Sequence, residues 1–392
     1  MNISLVCPAS LPATQFGGIL FLGVHIANKL SKVGHNVTIY TTDLDFSKEK
    51  MIFNKNLPKI EKINDFQIKR THVLWAIYLF FINPSMYIQM LRDKHDIIHV
   101  IGLRSFQAFI ATLISKKKKI PLIISDQGGL TTHPDIHEAS TLKRILIKMQ
   151  FPIIKYILRQ ADIILAANEY ERDIFLKLCD SSKIRIVRNG IDLDELKTSN
   201  IDFKRKYSIK NNFILFLGRF HKVKGVDVLL HSIHEIKNNP LLQNIDFVIL
   251  GSDFGYEKQM LQLIDELKIN NKVHVIKNLP RNDVIAAYNE CEFLVLPSRW
   301  ELSPLTPLEG FAFKKAVIST TAHGIPYTIK NDINSILVEP SNSHELARAI
   351  ITLIQDAKFC EKLGNSGYES VLETQNADSM VKKILEIYQD LK

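Results

Sequence analysis

The chain has 392 residues, 46% of them hydrophobic, with 50 Lys and Arg against 41 Asp and Glu. That length exceeds one ordinary core and implies two domains, while its apolar runs stop short of the ~18–20 residues a spanning helix needs. Residues 1–190 hold 26 basic and 15 acidic side chains and the remainder 24 and 26, so an anionic partner is expected on the first half alone.

In chain order, the opening residues MNISLVCPAS read as a strand over Ile3–Cys7, without the basic flank or cleavage site of a signal peptide. A cytoplasmic protein is therefore expected. Pro8–Phe16 and the pair Gly17-Gly18 lead into an amphipathic helix, Ile19–Val33, which Gly34 ends as a helix C-terminal glycine does. Adjacent glycines let a backbone approach a phosphate or sugar closely, and they equally suit a plain tight turn. Further apolar strands are expected at Val37–Tyr40, Ile97–Ile101, Leu122–Ser125, Ile163–Ala166 and Ile184–Val187, with helix-length stretches between most of them. The longest apolar stretch, Val73–Ile82, stops at Asn83-Pro84. His99, inside a strand, reads as a satisfied core histidine.

The stretch from Ala139 to Gln160 carries Lys143, Arg144, Lys148, Lys155 and Arg159 and no acid, interleaved with Leu142, Ile145, Leu146, Ile147, Phe151 and Ile154. Such a basic amphipathic element suits an anionic membrane surface, and equally the solvated side of a core helix. With Lys116–Lys119 and the Trp75–Ile82 stretch it points to a peripheral protein on the inner face of a membrane. No Cys/His finger or RNA-binding aromatic signature is present, so nucleic acid is not expected. Cys7, Cys179, Cys291 and Cys360 lack Cys-x-x-Cys spacing, which argues against a disulfide framework or a zinc site.

After the polar stretch Asp192–Asn212, strands are expected at Phe213–Leu217, Asp246–Leu250, Val273–Ile276, Phe293–Leu296, Val317–Ser319 and Ile336–Val338. Alternating strand–helix units with apolar strands predict parallel sheets covered on both faces. The fold class is α/β, with two doubly wound Rossmann-like domains facing a central cleft. The expected domains are 1–190, a linker over 191–212, and 213–375, with a helix at ~376–392 packing back on the first.

Phe213–Leu217 runs into Gly218-Arg219 and then Lys224-Gly225 before a helix. At the carboxyl end of a strand, Arg219 and Lys224 can grip a diphosphate, the first as a fork and the second as a point charge. Phe293–Leu296 closes at Pro297-Ser298, and Glu301 and Glu309 follow with seven residues between them. A helix from Leu305 to Phe313, with Pro307 in its first turn, sets an N-terminus beside Glu301 and Glu309 one turn inside. Amides for a phosphate and carboxylates for hydroxyls make the chemistry of a nucleotide-sugar site. Taken alone, the spacing equally describes two solvated glutamates.

Together these segments resemble the family-four retaining glycosyltransferases (glycosyl transferases group 1), whose fold is the two-domain GT-B architecture. The matches are Gly17-Gly18 through Ala27, Leu30 and Gly34-His35-Asn36-Val37-Thr38, then Ala161-Asp162-Ile163-Ile164 and Asn189-Gly190-Ile191-Asp192. They continue with Gly218, Arg219, Lys224, Gly225, Asp227, Leu229 and Leu230, the Glu301/Glu309 pair, and Gly324-Ile325-Pro326. The resemblance implies a nucleotide-sugar donor whose diphosphate meets Arg219 and Lys224, whose ribose meets Glu309 and whose sugar meets Glu301. It also implies phosphate contacts from amides of Ser303, Leu305 and Thr306, and from Gly17 and Gly18 of the first domain. A glycan or polyprenyl-linked saccharide is the implied acceptor. With Arg219, Lys224 and a helix N-terminus available, neither metal nor cofactor is expected.

The chain departs from the family pattern in places. Ser125-Asp126-Gln127-Gly128-Gly129 has Gln127 where a histidine is usual, so polar contact there falls to Asp126 or Gln127, the catalytic candidates beside Glu301. Leu302, Ser303, Lys315 and Ala316 stand where glycines and a proline are usual, and Tyr327 follows Pro326 in place of an acid. Asp43-Leu44-Asp45 and Asp192-Leu193-Asp194 fit a metal-dependent transferase by pattern but read as loop caps. Two other readings stay open: a non-catalytic nucleotide-sugar-binding subunit, and a GT-B epimerase or phosphorylase. A dehydrogenase is disfavoured, because no GxGxxG follows either first strand.

Overall fold

The computed structural model describes residues 1–46, 51–77, 80–128, 130, 132, 134, 141–197 and 199–392; Gly129 and the side chains of 141–147, Lys143 and Arg144 among them, lie outside that set. The chain forms two units, Met1–Gly190 with Ala377–Lys392, and Ile191–Asn376.

The first unit is built on an eight-stranded sheet in the order Ile184–Ile186, Ile163–Ala166, Leu122–Ser125, Ile97–Ile101, Asn2–Val6, Asn36–Thr42, Phe66–Thr71, Ile60–Ile63. All neighbours pair parallel except the last two strands, which form an antiparallel edge. That edge was not legible as strand: Phe66–Thr71 alternates buried Phe66, Ile68 and Arg70 with the half-buried polar Gln67, Lys69 and Thr71. Arg70 is buried because its guanidinium donates to Glu61 at 2.6 Å and to the Leu11 carbonyl at 2.7 Å.

Alternation along Ile97–Ile101 divides the core. Ile98 and Val100 face the helices Ser85–Arg92, Phe106–Lys118 and Thr141–Gln160. Ile97 and Ile101 face Gly18–Lys32 and the last helix, Ala377–Asp390. That last helix buries Met380, Val381, Ile384 and Tyr388, each contributing about 1.5–3 kcal/mol of apolar burial if fully withdrawn from water. The Tyr388 hydroxyl lies 2.7 Å from His99 Nδ1, and His99 Nε2 lies 2.8 Å from Ser125 Oγ. Burial pushes the His99 imidazole down to about 3, so it is neutral, a satisfied core histidine.

The apolar stretch after Val73 is a hairpin, Trp75–Ile77 against Phe80–Ile82. Phe81 is buried, but Leu74, Trp75 and Ile77 are 71%, 72% and 40% exposed. Among the described residues, no helix is long and apolar enough to cross a membrane.

The second unit carries a six-stranded, wholly parallel sheet in the order Val273–Lys277, Ile245–Gly251, Asn212–Leu217, Leu294–Val295, Val317–Thr320, Ser335–Val338. Residues 191–212, expected as a linker, are part of its core. Ile191, Leu196, Phe203 and Ile209 are buried, and the Phe203 ring packs tilted against those of Tyr207 and Phe213, with centroids 4.7 and 5.6 Å away. Glu290 fixes the short helix Phe203–Lys206 by accepting from the Phe203 and Lys204 amides at 2.6 and 3.0 Å. The polar composition of this segment belongs to its solvent side and hides four apolar anchors.

Tyr388→Phe deprives the buried His99 Nδ1 of its partner and is expected to destabilise the full chain by about 1–3 kcal/mol. Urea unfolding followed by circular dichroism, wild type against variant, measures it; an unchanged midpoint would show that the bond contributes nothing.

Candidate functional site

In the second unit, the strands Asn212–Leu217 and Leu294–Val295 are neighbours, so the loops leaving their carboxyl ends lie together. The first loop turns through Lys222–Lys224 into Gly225, whose φ is +69°. A Cβ on Gly225 would fall 1.9 Å from the Pro297 carbonyl oxygen, so only glycine allows the two loops to meet. The contact carries Lys224 to the second loop, where its Nζ pairs with Glu301 Oε1. Ser298 Oγ donates to the same oxygen at 3.1 Å. Lys224, Ser298, Glu301 and Thr306 thus line one recess, with Phe216 and Leu296 at its apolar side.

Arg299 laces the loops further. Its guanidinium grips both Asp227 oxygens at 2.7 Å and donates to the Lys222 carbonyl at 2.7 Å, and its amide donates to the Val223 carbonyl at 2.7 Å. On the other side, the Gly324 amide donates to the Glu301 carbonyl at 3.0 Å. A Cβ on Gly324 would lie 1.7 Å from the Leu302 carbonyl oxygen, so glycine is again required.

The helix expected from Leu305 is Thr306–Ala312, with Leu305 as its N-cap and no N–H from Pro307. Ser303 precedes it in the same loop. Glu309 lies one turn inside and does not line the recess. Its Oε1 accepts from Arg281 Nη2 at 2.5 Å and its Oε2 from the Tyr288 hydroxyl at 2.7 Å, while Arg281 Nε donates to Glu195 at 2.9 Å. Arg219 rests its guanidinium over the Phe254 ring, 4.9 Å from the centroid. The structure therefore groups Lys224, Glu301 and Thr306, and sets Glu309 in a separate, deeper ionic cluster.

In the first unit, Gly17 is the N-cap of Gly18–Lys32 and has φ +98°. No side chain would crowd it, so the glycine answers to backbone conformation. Asp126 and Gln127 follow the strand Leu122–Ser125. The buried Asp126 accepts from the Leu130 amide at 2.8 Å. Gln127, at φ +57°, exchanges two amide hydrogen bonds with Asn189, at 2.8 and 3.1 Å. Its backbone amide donates to Glu171 at 3.2 Å, and the Ala167 amide donates to the same carboxyl group at 2.6 Å. Burial, aided by the nearby Asp126 charge, pushes Glu171 up to about 8. Both Asp126 and Gln127 are thus engaged within their own unit.

Lys148, Lys155 and Arg159 are exposed on Thr141–Gln160. The aspartate triplets are local structure: Asp43 meets His72 at 2.5 Å, Asp45 accepts from the Phe46 amide at 2.7 Å and Asp192 from the Asp194 amide at 3.1 Å. Among the described residues no group of His, Cys, Asp or Glu is arranged to hold a metal ion. Sequence reading missed Arg281, Tyr288, Arg299 and Glu171. Asp227 carried a signal for Arg299, because it belongs to the run after Lys224-Gly225, and Asn168 three residues before Glu171 is a helix-capping pattern that marks Glu171; Arg281 and Tyr288 meet Glu309 across separations that no local pattern marks.

A family profile described as glycosyl transferases group 1 matches residues 198–370, and one described as glycosyltransferase family 4 matches residues 16–195. An uncharacterized glycosyltransferase of Methanocaldococcus jannaschii is 25% identical over 94% of this chain and 93% of its own length. The UDP-Gal:alpha-D-GlcNAc-diphosphoundecaprenol alpha-1,3-galactosyltransferase of Escherichia coli is 23% identical over 78% of each. Among solved structures, sucrose-phosphate synthase of Thermosynechococcus elongatus superposes with TM-score 0.76 at 18% identity, covering 100% of this chain and 98% of that one. Anabaena HepE in complex with UDP and glucose gives TM-score 0.77 at 16% identity, covering 99% of both. These likenesses establish the GT-B fold.

Glu171 gives a pH test. Its folded value of about 8 lies above the ordinary 4.5, so the stability it permits is complete below pH 4.5 and is lost as pH rises through 8. In that window the wild type is expected to lose up to about 1.4 kcal/mol per pH unit relative to Glu171→Gln. Urea midpoints of both proteins at pH 5, 6.5 and 8 measure the difference; parallel profiles would place the proton elsewhere.

Proposed function

Because this chain belongs to the group 1 glycosyltransferases of GT-B fold, we propose that it is a retaining enzyme that moves a hexose-type sugar from a nucleoside diphosphate to a hydroxyl of a glycan or polyprenyl-linked saccharide. The observation that carries this reading is the Lys224–Glu301 pair in one recess at the strand ends. As the bond from the anomeric carbon to the diphosphate breaks, negative charge grows on the leaving oxygens. Lys224, with Arg219 swung off Phe254, answers that charge, and a preorganised donor of this kind is worth about 3 kcal/mol. On this reading the two cations do the work of a metal, and no cofactor takes part.

The acceptor oxygen attacks from the face the diphosphate leaves, its proton passes to a departing phosphate oxygen, and the anomeric configuration is kept. Glu301, with Lys224 and Ser298 both on one oxygen, is a weak nucleophile. Its role is to accept from hydroxyls of the transferred sugar, as that of Glu309 is to accept from the ribose. Gly17, Gly18 and the amides around Ser303, Leu305 and Thr306 contact the phosphates, and Asp126 and Gln127 the acceptor side. HepE in complex with UDP and glucose supports a uridine donor. The diphosphoundecaprenol in the name of the Escherichia coli relative supports a lipid-linked acceptor.

For such an acceptor the first unit would dock on an anionic bilayer at the cytoplasmic face. Lys148, Lys155 and Arg159 offer the charge and Leu74, Trp75 and Ile77 the apolar contact. A series of rings joins the two: Phe80 to Phe106 at 6.1 Å, Phe106 to Phe109 at 6.4 Å, and Phe109 to Tyr156 at 6.3 Å. Each cation near the surface contributes ~1 kcal/mol.

Two measurements test these readings. Lys224→Ala is expected to weaken UDP binding roughly 10- to 100-fold, whereas Glu301→Gln, which releases Lys224, leaves UDP affinity unchanged or higher and lowers turnover. Calorimetry with UDP, and release of UDP from a UDP-sugar in the presence of acceptor, read the two effects; UDP affinity indifferent to Lys224→Ala would misplace the site. Co-sedimentation with phosphatidylglycerol-containing vesicles is expected for the wild type, with a blue shift of Trp75 emission. The triple change Lys148/Lys155/Arg159→Glu abolishes both, and binding that survives it would remove the membrane reading.

A further inference from the structure

The ionic cluster around Glu309 is larger than ribose binding by one carboxylate requires. Arg281 and Tyr288 stand seven residues apart on the helix Arg281–Glu290 and so share a face. Both donate to Glu309, one to each oxygen. Each donor is itself held. The Tyr288 ring stacks on Phe313, with centroids 5.7 Å apart and planes within 7°, and Arg281 is held from behind by Glu195 at 2.9 Å. Glu195 in turn belongs to the turn in which its own amide donates to the Asp192 carbonyl at 3.1 Å.

Two consequences follow from the donor and acceptor count. A carboxylate has about four acceptor sites, two per oxygen. One protein donor on each oxygen leaves each with capacity for one more hydrogen, which matches a pair of neighbouring hydroxyls. Secondly, the Glu309 side chain is only 8% exposed. A carboxylate that far from water needs protein donors to hold it, and Arg281 and Tyr288 supply them. Arg281 faces two carboxylates, Glu195 and Glu309, so a ligand meets acceptor oxygens here, which suits hydroxyl donors.

Resting on the reading of Glu309 as the ribose acceptor, we infer that Arg281 is a positioning residue for the donor nucleotide. With Tyr288 it holds the two Glu309 oxygens in one orientation, so that the site selects a ribonucleotide over its 2′-deoxy counterpart. Lys224 for the diphosphate and Glu309 for the ribose then fix which way round the nucleotide lies.

The test compares the dissociation constants of UDP and 2′-deoxy-UDP, and of GDP and 2′-deoxy-GDP, by calorimetry on the full chain. The wild type is expected to favour the ribonucleotide roughly 10-fold. Arg281→Ala and Tyr288→Phe reduce that preference to less than about threefold, with 2′-deoxynucleotide affinity nearly unchanged, and Arg281→Lys restores part of it. A purely structural role would weaken both nucleotides alike and leave the ratio intact. Tyr288→Phe keeps the ring in its stack, so it remains informative if Arg281→Ala fails to fold. A full ribonucleotide preference in both variants, alongside its loss in Glu309→Gln, would overturn the inference and leave the ribose reading standing. A preference that survives Glu309→Gln would overturn both.

Discussion

The second unit's site depends on one close backbone approach, that of Gly225 to the Pro297 carbonyl. Without it the loop holding Lys224 would stand off from the loop holding Glu301, and the ion pair between them would not form. Arg299 secures the same approach from the outside through Asp227 and two carbonyl contacts. The charge pair is therefore a product of packing. A solvated pair of this kind is worth little, but one held by backbone contact on both sides stays where a ligand can use it.

The same unit separates its charges. Lys224 lines the recess at the strand ends, and Glu309 and Glu195 share one guanidinium, that of Arg281, in a second cluster. A molecule with phosphate at one end and hydroxyls further along matches that division. Each carboxylate has a cationic protein partner of its own, Lys224 for Glu301 and Arg281 for Glu309.

Much of this was legible from residues alone, and for identifiable reasons. Strands buried on both faces are continuous apolar runs, so Ile97–Ile101, Leu122–Ser125 and Ile163–Ala166 were readable to the residue. The loops at Lys224-Gly225 and Glu301 were readable because their glycines and charges sit at fixed offsets from strand ends. The half-polar edge strands Phe66–Thr71 and Ile60–Ile63 were not, since an edge needs only one apolar face. The segment 191–212 was misjudged by its polar average. Arg281 was invisible for a different reason: it meets Glu309 from another helix, 28 residues away, and contact at that distance leaves no periodic trace.

The first unit is not one stretch of chain, because Ala377–Lys392 completes it after the entire second unit has been made. During synthesis, Ile26, Ala27 and Leu30 must wait, uncovered, for Met380, Val381 and Ile384. At about 5–20 residues per second, the roughly 350 residues between Leu30 and Met380 take on the order of 17–70 s. For that interval the nascent protein carries a sticky flank in the crowded cell, which makes it a natural client for a chaperone acting at the ribosome.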